Sequence, residues 1–564
     1  MPDSRKVKKE NSDATETEVG YLGYGVDLFQ ANPWLPKYKS RILAEPINSE
    51  RHTLRTTGYR EIYSDSFLEL SHTLAVEAGL KGSYGDFSGS VNSKFSRSEK
   101  RTEKRHIQKI SFTVSGNSHA VKSTRAGLKK MLDDGFKAAL ATADVGELFR
   151  DYGTHVAFKI TTGGRAEYYC QTSDIAVMTA QRFKVAARAK YKSAGGKVEG
   201  HQSTETTNTK DEKLVSGSES IDTVGGSAKA SLNLKDGGWA KWAESCETLP
   251  GFLGFDEDDG LVPIWELTDD KDRRTAIRDA YQRIAAKGFT VHITSETSDV
   301  ASRPTARVTV PKGYKLLSGG ARNNWTGRGS FLTASFPDVA ASGASPGAWE
   351  VRGKDHLGDS DGVSTHYSHY YPEKTSVTAF AIAVYDPDDI WEVKTVYSEA
   401  AKPEEQSGQS LGLDGSLAAN GFVMVGGGAR ANYSGKGSLL IQIEPEGEGL
   451  YSATSRSHLE SDPAKISTYL IALRSKVKGI RLETKVTRND SGTAKQPITT
   501  VKAASGYTMT GGGAYIYGGS TYGLLLTSSY PKDGDTWEAR GKDHGEADKG
   551  KVLARAIGLK VIDA

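Results

Sequence analysis

Tyr152 to Gly164 reads YGTHVAFKITTGG, an aromatic-Gly-Thr-His cluster that runs into paired glycines through the alternating residues Val156, Phe158 and Ile160. Alternation of period two predicts a half-buried strand. Two adjacent residues without β-carbons let such a strand bend sharply, at an entropic cost of about 0.5–1 kcal/mol each. Gly163-Gly164 therefore reads as a hinge or as a static bulge. A general-base role for His155 lacks a neighbouring nucleophile, so no catalytic residue is assigned here. Thr154 and His155 are instead expected to tie the preceding helix end to the sheet.

Working outward, Val121 to Arg150 carries Leu128, Met131, Leu132, Phe136, Leu140, Leu148 and Phe149 at mostly helical spacing and leads straight into the motif. A second helix is predicted from about Asp269 to Lys287, capped by Asp269 or Asp270, with Ile277, Tyr281 and Ile284 on one face. Both read as packing helices. A second glycine pair, Gly225-Gly226, follows DTV and is the second hinge candidate.

The chain has 564 residues, enough for two to four domains, and a formal charge of +3, which asks for no nucleic-acid partner. Sixty-two glycines and 25 tyrosines favour strands and turns. Cys170 and Cys246 are the two cysteines, too few for a disulfide framework, and either one bridge or two free thiols fits. Residues 1–19 are charged and lack an apolar core, which reads as a disordered leader and not as a secretory signal. No run approaches the roughly 20 apolar residues of a membrane helix.

Beyond about residue 300 the sequence repeats. GYKLLSGGA from Gly313, GFVMVGGGA from Gly421 and GYTMTGGGA from Gly506 are three copies of one phrase. Each is followed by a second phrase, then by WEVRGKDH from Trp349, YSATSRSH from Tyr451 or WEARGKDH from Trp537, and then by an alternating apolar strand. Four short strands per copy predict three small antiparallel sheets about a pseudo-threefold axis, a β-prism first and a trefoil-like barrel second. The segment KTVYSEAAKPEEQSGQSLGLDGS reads as a linker between the first two copies.

Strings that imitate catalytic motifs lack their context. GASPG, Gly343 to Gly347, lies in a loop without the strand and helix of a nucleophile elbow, and GYLGYG, Gly20 to Gly25, has no βαβ unit around it. His366 and His369 sit among tyrosines, a surface aromatic cluster sooner than a metal site. No enzyme, cofactor or metal is expected. The repeated Asp355-His356, Ser457-His458 and Asp543-His544 either hold one turn three times or bind three equivalent groups. With His366, Tyr370, Tyr515 and Tyr517, in loops that suit glycan or lipid headgroup contact, they are the receptor-binding candidates.

Tyr152-Gly153-Thr154-His155, seven residues and then Gly163-Gly164 resembles the signature of the membrane attack complex/perforin (MACPF) superfamily of pore-forming proteins. GYGVDLF near Gly23, the helix before the motif, Gly225-Gly226 and the closing helix VPIWELTDDKDRRTAIRDAYQRI are similar to further family segments. Val156 departs from the aromatic residue common in the family, though either suits a half-buried strand. The resemblance implies a bent, twisted four-stranded antiparallel sheet flanked by two helical clusters. It also implies that soluble monomers assemble into a ring or arc on a membrane, where the clusters become amphipathic hairpins of a transmembrane barrel.

A barrel strand must alternate, and roughly 9–11 residues suffice to cross. Leu74, Val76, Leu80 and Tyr84 form one such stripe, resumed after a phase shift by Phe87, Val91 and Phe95. Phe183, Val185, Ala187, Ala189 and Tyr191 form a second, against Lys184, Arg188, Lys190 and Lys192, although the same residues favour helix in isolation. An ordinary amphipathic helix is the alternative.

The expected protein is α+β followed by all-β: a MACPF-like domain over 20–300 and a three-repeat, β-prism-like recognition domain over 301–564. Its expected function is that of a pore-forming toxin, insecticidal like some relatives, whose partners are a target membrane and further copies of itself. Without a signal peptide, release by lysis or a nonclassical route is expected. The alternative function is a non-lytic lectin-like protein that uses the first domain as a scaffold.

Overall fold

The computed structural model describes residues 21–29, 38–64, 66–80, 105–174, 177–196, 209–217, 221–234, 238–327, 330–339, 342–355, 374–435, 437–458, 461–519, 523–544 and 547–564. The expected leader, Tyr84, Phe87, Val91, Phe95, His356, His366 and Tyr370 lie outside them. Two compact units divide the chain, Met1–Tyr281 and Gln282–Ala564.

In the first unit β1 (Tyr24–Val26) and β2 (Tyr38–Arg41) belong to a small sheet, and β3 (Ser49–Ser64) and β4 (His106–Val121) to a large one. β5 (His155–Ala157) joins the small sheet, where β10 (Leu261–Pro263) is its other neighbour; β6 (Lys159–Thr172) is the third row of the large sheet. The fourth row is broken into β7 (Ser216–Gly217), β8 (Asp222–Val224) and β9 (Gly251–Phe255), all antiparallel to β6. β6 is buried along nearly its whole length because both faces of the sheet are covered.

Helix α1 (Phe67–Glu77) covers one face, setting Phe67, Leu70 and Leu74 on Ile62, Ile107 and Tyr169. Helices α2 (Asp134–Thr142) and α3 (Val145–Tyr152) precede the signature, and α4 (Ala180–Ser193) covers the opposite face with Phe183, Ala186, Ala187 and Tyr191 on Ile110, Tyr168 and Cys170. Strand alternation separates the faces: Ile107 and Tyr169 point one way, Ile110 and Tyr168 the other. Helices α5 (Thr209–Leu214), α6 (Ala228–Leu232), α7 (Trp239–Ser245) and α8 (Lys271–Lys287) complete the set used below.

Two helix expectations need correction. Val121 to Arg150 is no single helix: Val121 ends β4, Ala126–Lys130 form a 3-10 turn, and Asp133 and Asp144 each cap a new helix by accepting two backbone N–H bonds. Helix α8 is capped by Asp270 Oδ1, which accepts from Asp272 N and Arg273 N at 2.9 and 3.0 Å. Its buried face holds Ile277 and Tyr281, while Ile284 is exposed.

The second unit is built mainly of strands in three successive groups of six, with a short helix at Gly415–Ala419. The first comprises β11 (Val291–Thr297), β12 (Thr305–Thr309), β13 (Tyr314–Asn323), β14 (Phe331–Asp338), β15 (Ala348–Lys354) and β16 (Val377–Tyr385). The second comprises β17 (Trp391–Glu399), β18 (Gln406–Gly412), β19 (Val423–Asn432), β20 (Ser438–Pro445), β21 (Leu450–Ser457) and β22 (Lys465–Ser475). The third comprises β23 (Ile480–Asp490), β24 (Ile498–Lys502), β25 (Thr508–Tyr517), β26 (Leu524–Pro531), β27 (Thr536–Asp543) and β28 (Lys551–Asp563).

These strands form three six-stranded sheets, and each sheet takes three strands from one group and three from another. The expected four strands per copy are thus six. The segment read as a linker contains β17 and β18, and β11, on the near side of residue 300, pairs with β16 in the second unit. Three separate antiparallel sheets are a prism-like arrangement, not a trefoil barrel. The glycine phrases explain the close packing: Gly319, Gly427 and Gly512 leave room that Trp349, Tyr451 and Trp537 fill. Trp349 Nε1 donates to Ser335 Oγ and Trp537 Nε1 to Ser529 Oγ, each at 3.0 Å, while Tyr451 donates its hydroxyl to Gly512 O.

Candidate functional site

The large sheet carries one irregularity on each row at the same level. β3 slips register between Thr53 and Thr56, where Arg55 has φ 44°, and β4 slips between Ser115 and Asn117 opposite Gly163. On the fourth row β8 ends at Val224, opposite Arg165; Gly225 and Gly226 turn away with φ 71° and 76°, and the chain returns as β9 with Gly251 opposite Gly163. The two predicted glycine pairs therefore abut. Bulges on adjacent rows concentrate twist along a line, the geometry of a bend.

A short helix plugs that line. A β-carbon at Gly164 would collide with Cys246 Sγ, and one at Gly226 would lie 2.6 Å from Trp242 Nε1. Trp242 Nε1 donates to Gly225 O at 3.2 Å, and Ser245 Oγ accepts from Ser227 N at 2.8 Å. The missing side chains of both pairs thus form a socket for α7 and the residue after it. Cys170 and Cys246 are unbridged and buried, and burial pushes their thiols up to about 12 and about 11.

The signature residues do a different job. Gly153 ends α3 with φ 76°. Thr154 N donates to Val26 O at 2.9 Å, and Thr154 Oγ1 accepts from Leu28 N at 3.1 Å while donating to Val26 O at 3.3 Å. The same hydroxyl lies 3.0 Å from His155 Nδ1, a hydrogen bond whose direction follows the imidazole tautomer. Burial alone holds the His155 pKa down at about 3. Edge-to-face contacts with Trp265 and Tyr281 complete its surroundings. Thr154, just past the end of α3, thus ties that helix end to β1 of the small sheet, while His155 packs on Tyr281 of α8.

Charge fixes each helix to the sheet. Under α1, Lys109 is fully buried with Nζ 2.8 Å from Glu77 and 2.9 Å from Glu167, and Arg165 lies 2.8 Å from Glu167. On the other face Arg188 of α4 reaches Glu61 at 2.8 Å, and Gln108 donates to the same carboxylate at 2.7 Å. Arg182 also pairs with Asp211 of α5. None of these pairs, nor the socket, was read from the sequence: their partners lie far apart in the chain, and only Gly225-Gly226 and Gly163-Gly164 gave a local signal.

Of the hairpin candidates, Leu74, Leu80, Phe183, Ala187 and Tyr191 are buried, and Val185 and Ala189 half-buried. Leu74 and Val76 lie in α1, and 183–191 in α4, so both stripes that alternate as strands are helical here over the described residues. No described helix is long and apolar enough to cross a membrane. Among receptor candidates, Asp355, His458 and His544 are buried, with His458 and His544 edge to face at 5.6 Å; Asp543 is half-buried. Tyr515 and Tyr517 stack at 5.8 Å, and Tyr517 donates to Asp490. Among the described residues no three His, Cys, Asp or Glu side chains are placed to hold a metal.

A bent four-row sheet clasped by helices on both faces defines the class of the first unit. Residues 55–267 match the family model of the MAC/Perforin domain, and this part of the chain is a domain of that family. No curated protein matches the chain in sequence. Among solved structures it is similar to GNIP1Aa from Chromobacterium piscinae, at 15% identity and a TM-score of 0.41 over 69% of this chain and 84% of that one. It is also similar to a putative cell invasion protein with a MAC/Perforin domain from Bacteroides thetaiotaomicron, at 19% identity and 0.37 over 49% and 61%. Vertebrate-specific astrotactin-2 follows at 10% and 0.28 over 67% and 69%.

Proposed function

We propose that the chain is a pore-forming protein: monomers bind a target membrane through the second unit, associate, and convert the segments around α1 and α4 into transmembrane β-hairpins. The observation that carries this reading is α4. Phe183, Val185, Ala187, Ala189 and Tyr191 alternate with Lys184, Arg188 and Lys190 as a barrel strand requires, yet the segment is helical and clasped to the sheet beside the glycine line. A segment compatible with two secondary structures, held by a limited set of contacts, is the form a switch takes.

The test uses a native cysteine. Cys170 Sγ lies 3.9 Å from the Ala187 carbonyl oxygen, so Ala187→Cys brings a second thiol to it across the α4–β6 contact. Oxidised protein is expected to bind liposomes made from target-membrane lipid without releasing dye, and to regain release on reduction. Release with the bridge closed contradicts the proposal. Binding without release by the reduced, unmodified protein would favour the scaffold reading instead.

A further inference from the structure

The outer faces of the second unit are not equivalent. In β13, β19 and β25 the segments ARNN, ARAN and AYIY occupy the same register: Arg322 is opposite Thr378, Arg430 opposite Ser467, and Tyr515 opposite Leu553. On the first face Arg322 lies over Tyr530 at 5.7 Å, Tyr530 stacks on Phe380 at 5.0 Å, and Asn324 Nδ2 donates to Thr378 Oγ1 at 3.0 Å. The second face repeats this. Arg430 lies over Phe336 at 5.7 Å, Phe336 lies tilted against Tyr469 at 5.5 Å, and Asn432 Nδ2 donates to Ser467 Oγ at 2.8 Å.

On the third face the corresponding positions hold Glu444 and Arg555, ion-paired at 2.8 Å, beside stacked Tyr515 and Tyr517. The strand register is unchanged there. This strand arrangement therefore does not require the arginine, the asparagine or the aromatic pair, and their recurrence on two faces is unexplained by packing alone.

Both arginines are available to an anion. Arg352 and Arg540, on the neighbouring strands, are ion-paired with Glu350 and Glu538 at 2.5 and 2.6 Å. Arg322 and Arg430 have no carboxylate within ion-pair distance among the described residues, and both are half-buried with the guanidinium carbon 5.7 Å from a ring centroid; Arg322 Nε donates to Asn324 Oδ1 at 2.9 Å, which leaves its terminal nitrogens for an anion. Glu399, near the second face, is engaged by Lys465 at 3.3 Å and Asn432 at 2.8 Å. A guanidinium held on an aromatic ring is pre-organised for a bidentate carboxylate. The two sites lie on different sheets, and one occupant that fills both has to bend between them, as a flexible chain of sugars does.

We infer that Arg322 with Asn324 and Arg430 with Asn432 are twin binding sites for the carboxylates of one acidic polysaccharide. This deepens the recognition half of the proposed function and rests on it, but binding is read without lysis, so the two fail separately. The probe is immobilised polygalacturonate, with neutral dextran and anionic phosphatidylserine vesicles as comparisons, and the full chain as analyte. The unmodified chain is expected to bind polygalacturonate in a salt-sensitive way and dextran not at all. Arg322→Gln or Arg430→Gln should each weaken it by about tenfold or more through lost bivalency, and the double variant should fall to the dextran level. Thermal denaturation of each variant checks that the fold is kept, and Arg430→Lys, which keeps the charge but not the fork, should bind at an intermediate level. Equal binding to dextran, unchanged binding by a folded double variant, or charge-dependent binding to the vesicles alone overturns the inference.

Discussion

Helices α1 and α4 cover opposite faces of the same sheet, and they are held differently. The pair under α1 is sealed: Lys109 is 0% exposed, and Glu77 and Glu167 are 17% and 7% exposed. The pair under α4 is at the margin, with Arg188 35% and Glu61 20% exposed. A buried cation with one partner removed leaves an uncompensated charge, whereas a half-exposed pair is replaced by water with little loss. The contrast teaches that the two faces need not open together: α4 is the easier side to release.

The largest test of this contrast is Lys109→Met, which removes the buried cation between Glu77 and Glu167 and leaves Glu77 with Arg60 at 3.8 Å and Glu167 with Arg165 at 2.8 Å. It should destabilise the first unit by about 3 kcal/mol, read as a lower midpoint in urea unfolding followed by tryptophan emission. Gly164→Ala acts on the bend instead, driving a methyl group into Cys246 Sγ, and should lose about 1–3 kcal/mol. Adding Cys246→Ala should restore part of that loss if the clash is the cause.

Protonation of His155 acts on the signature instead of on either helix clasp. Because His155 has a folded pKa of about 3, below the ordinary 6.5, the unfolded chain takes up a proton that the folded one refuses. Its contribution is present above pH 6.5 and is lost as pH falls from there toward 3, at no more than about 1.4 kcal/mol per pH unit. His155→Gln should remove that part of the slope in pH-dependent unfolding. The smallest effect is expected for Arg188→Gln, below about 1 kcal/mol, yet it should speed amide hydrogen exchange in α4 while leaving α1 unchanged. Equal acceleration in both helices would break the comparison.

The sequence made the bend legible because glycine carries its own geometric signal: Gly163-Gly164 and Gly225-Gly226 both stand out along the chain, and the structure sets them side by side. It made the threefold unit legible because the phrases from Gly313, Gly421 and Gly506 are local. What it hid is long-range. Lys109 meets Glu77, and Arg188 meets Glu61, through tertiary packing that no period encodes. β17 and β18 looked like a linker because the chain around them is rich in Glu, Lys, Gly and Ser and QSGQSLG is poor in strand-forming side chains; partners in β22 and β21 make them strands. The twin arginine sites were hidden for the same reason, since Arg430 and Phe336 meet only when the strands of two copies are interleaved.

The central claim is that Phe183 to Tyr191 changes from helix to strand on a membrane. A fluorescent probe placed singly at each position from 183 to 192, with a quencher attached to the lipid tails, measures it directly. Quenching of period two at Phe183, Val185, Ala187, Ala189 and Tyr191, with Lys184, Arg188 and Lys190 spared, is the predicted result. A pattern that keeps the helical face of Phe183, Ala186, Ala187 and Tyr191, or no quenching at any position on membranes that leak, would contradict it.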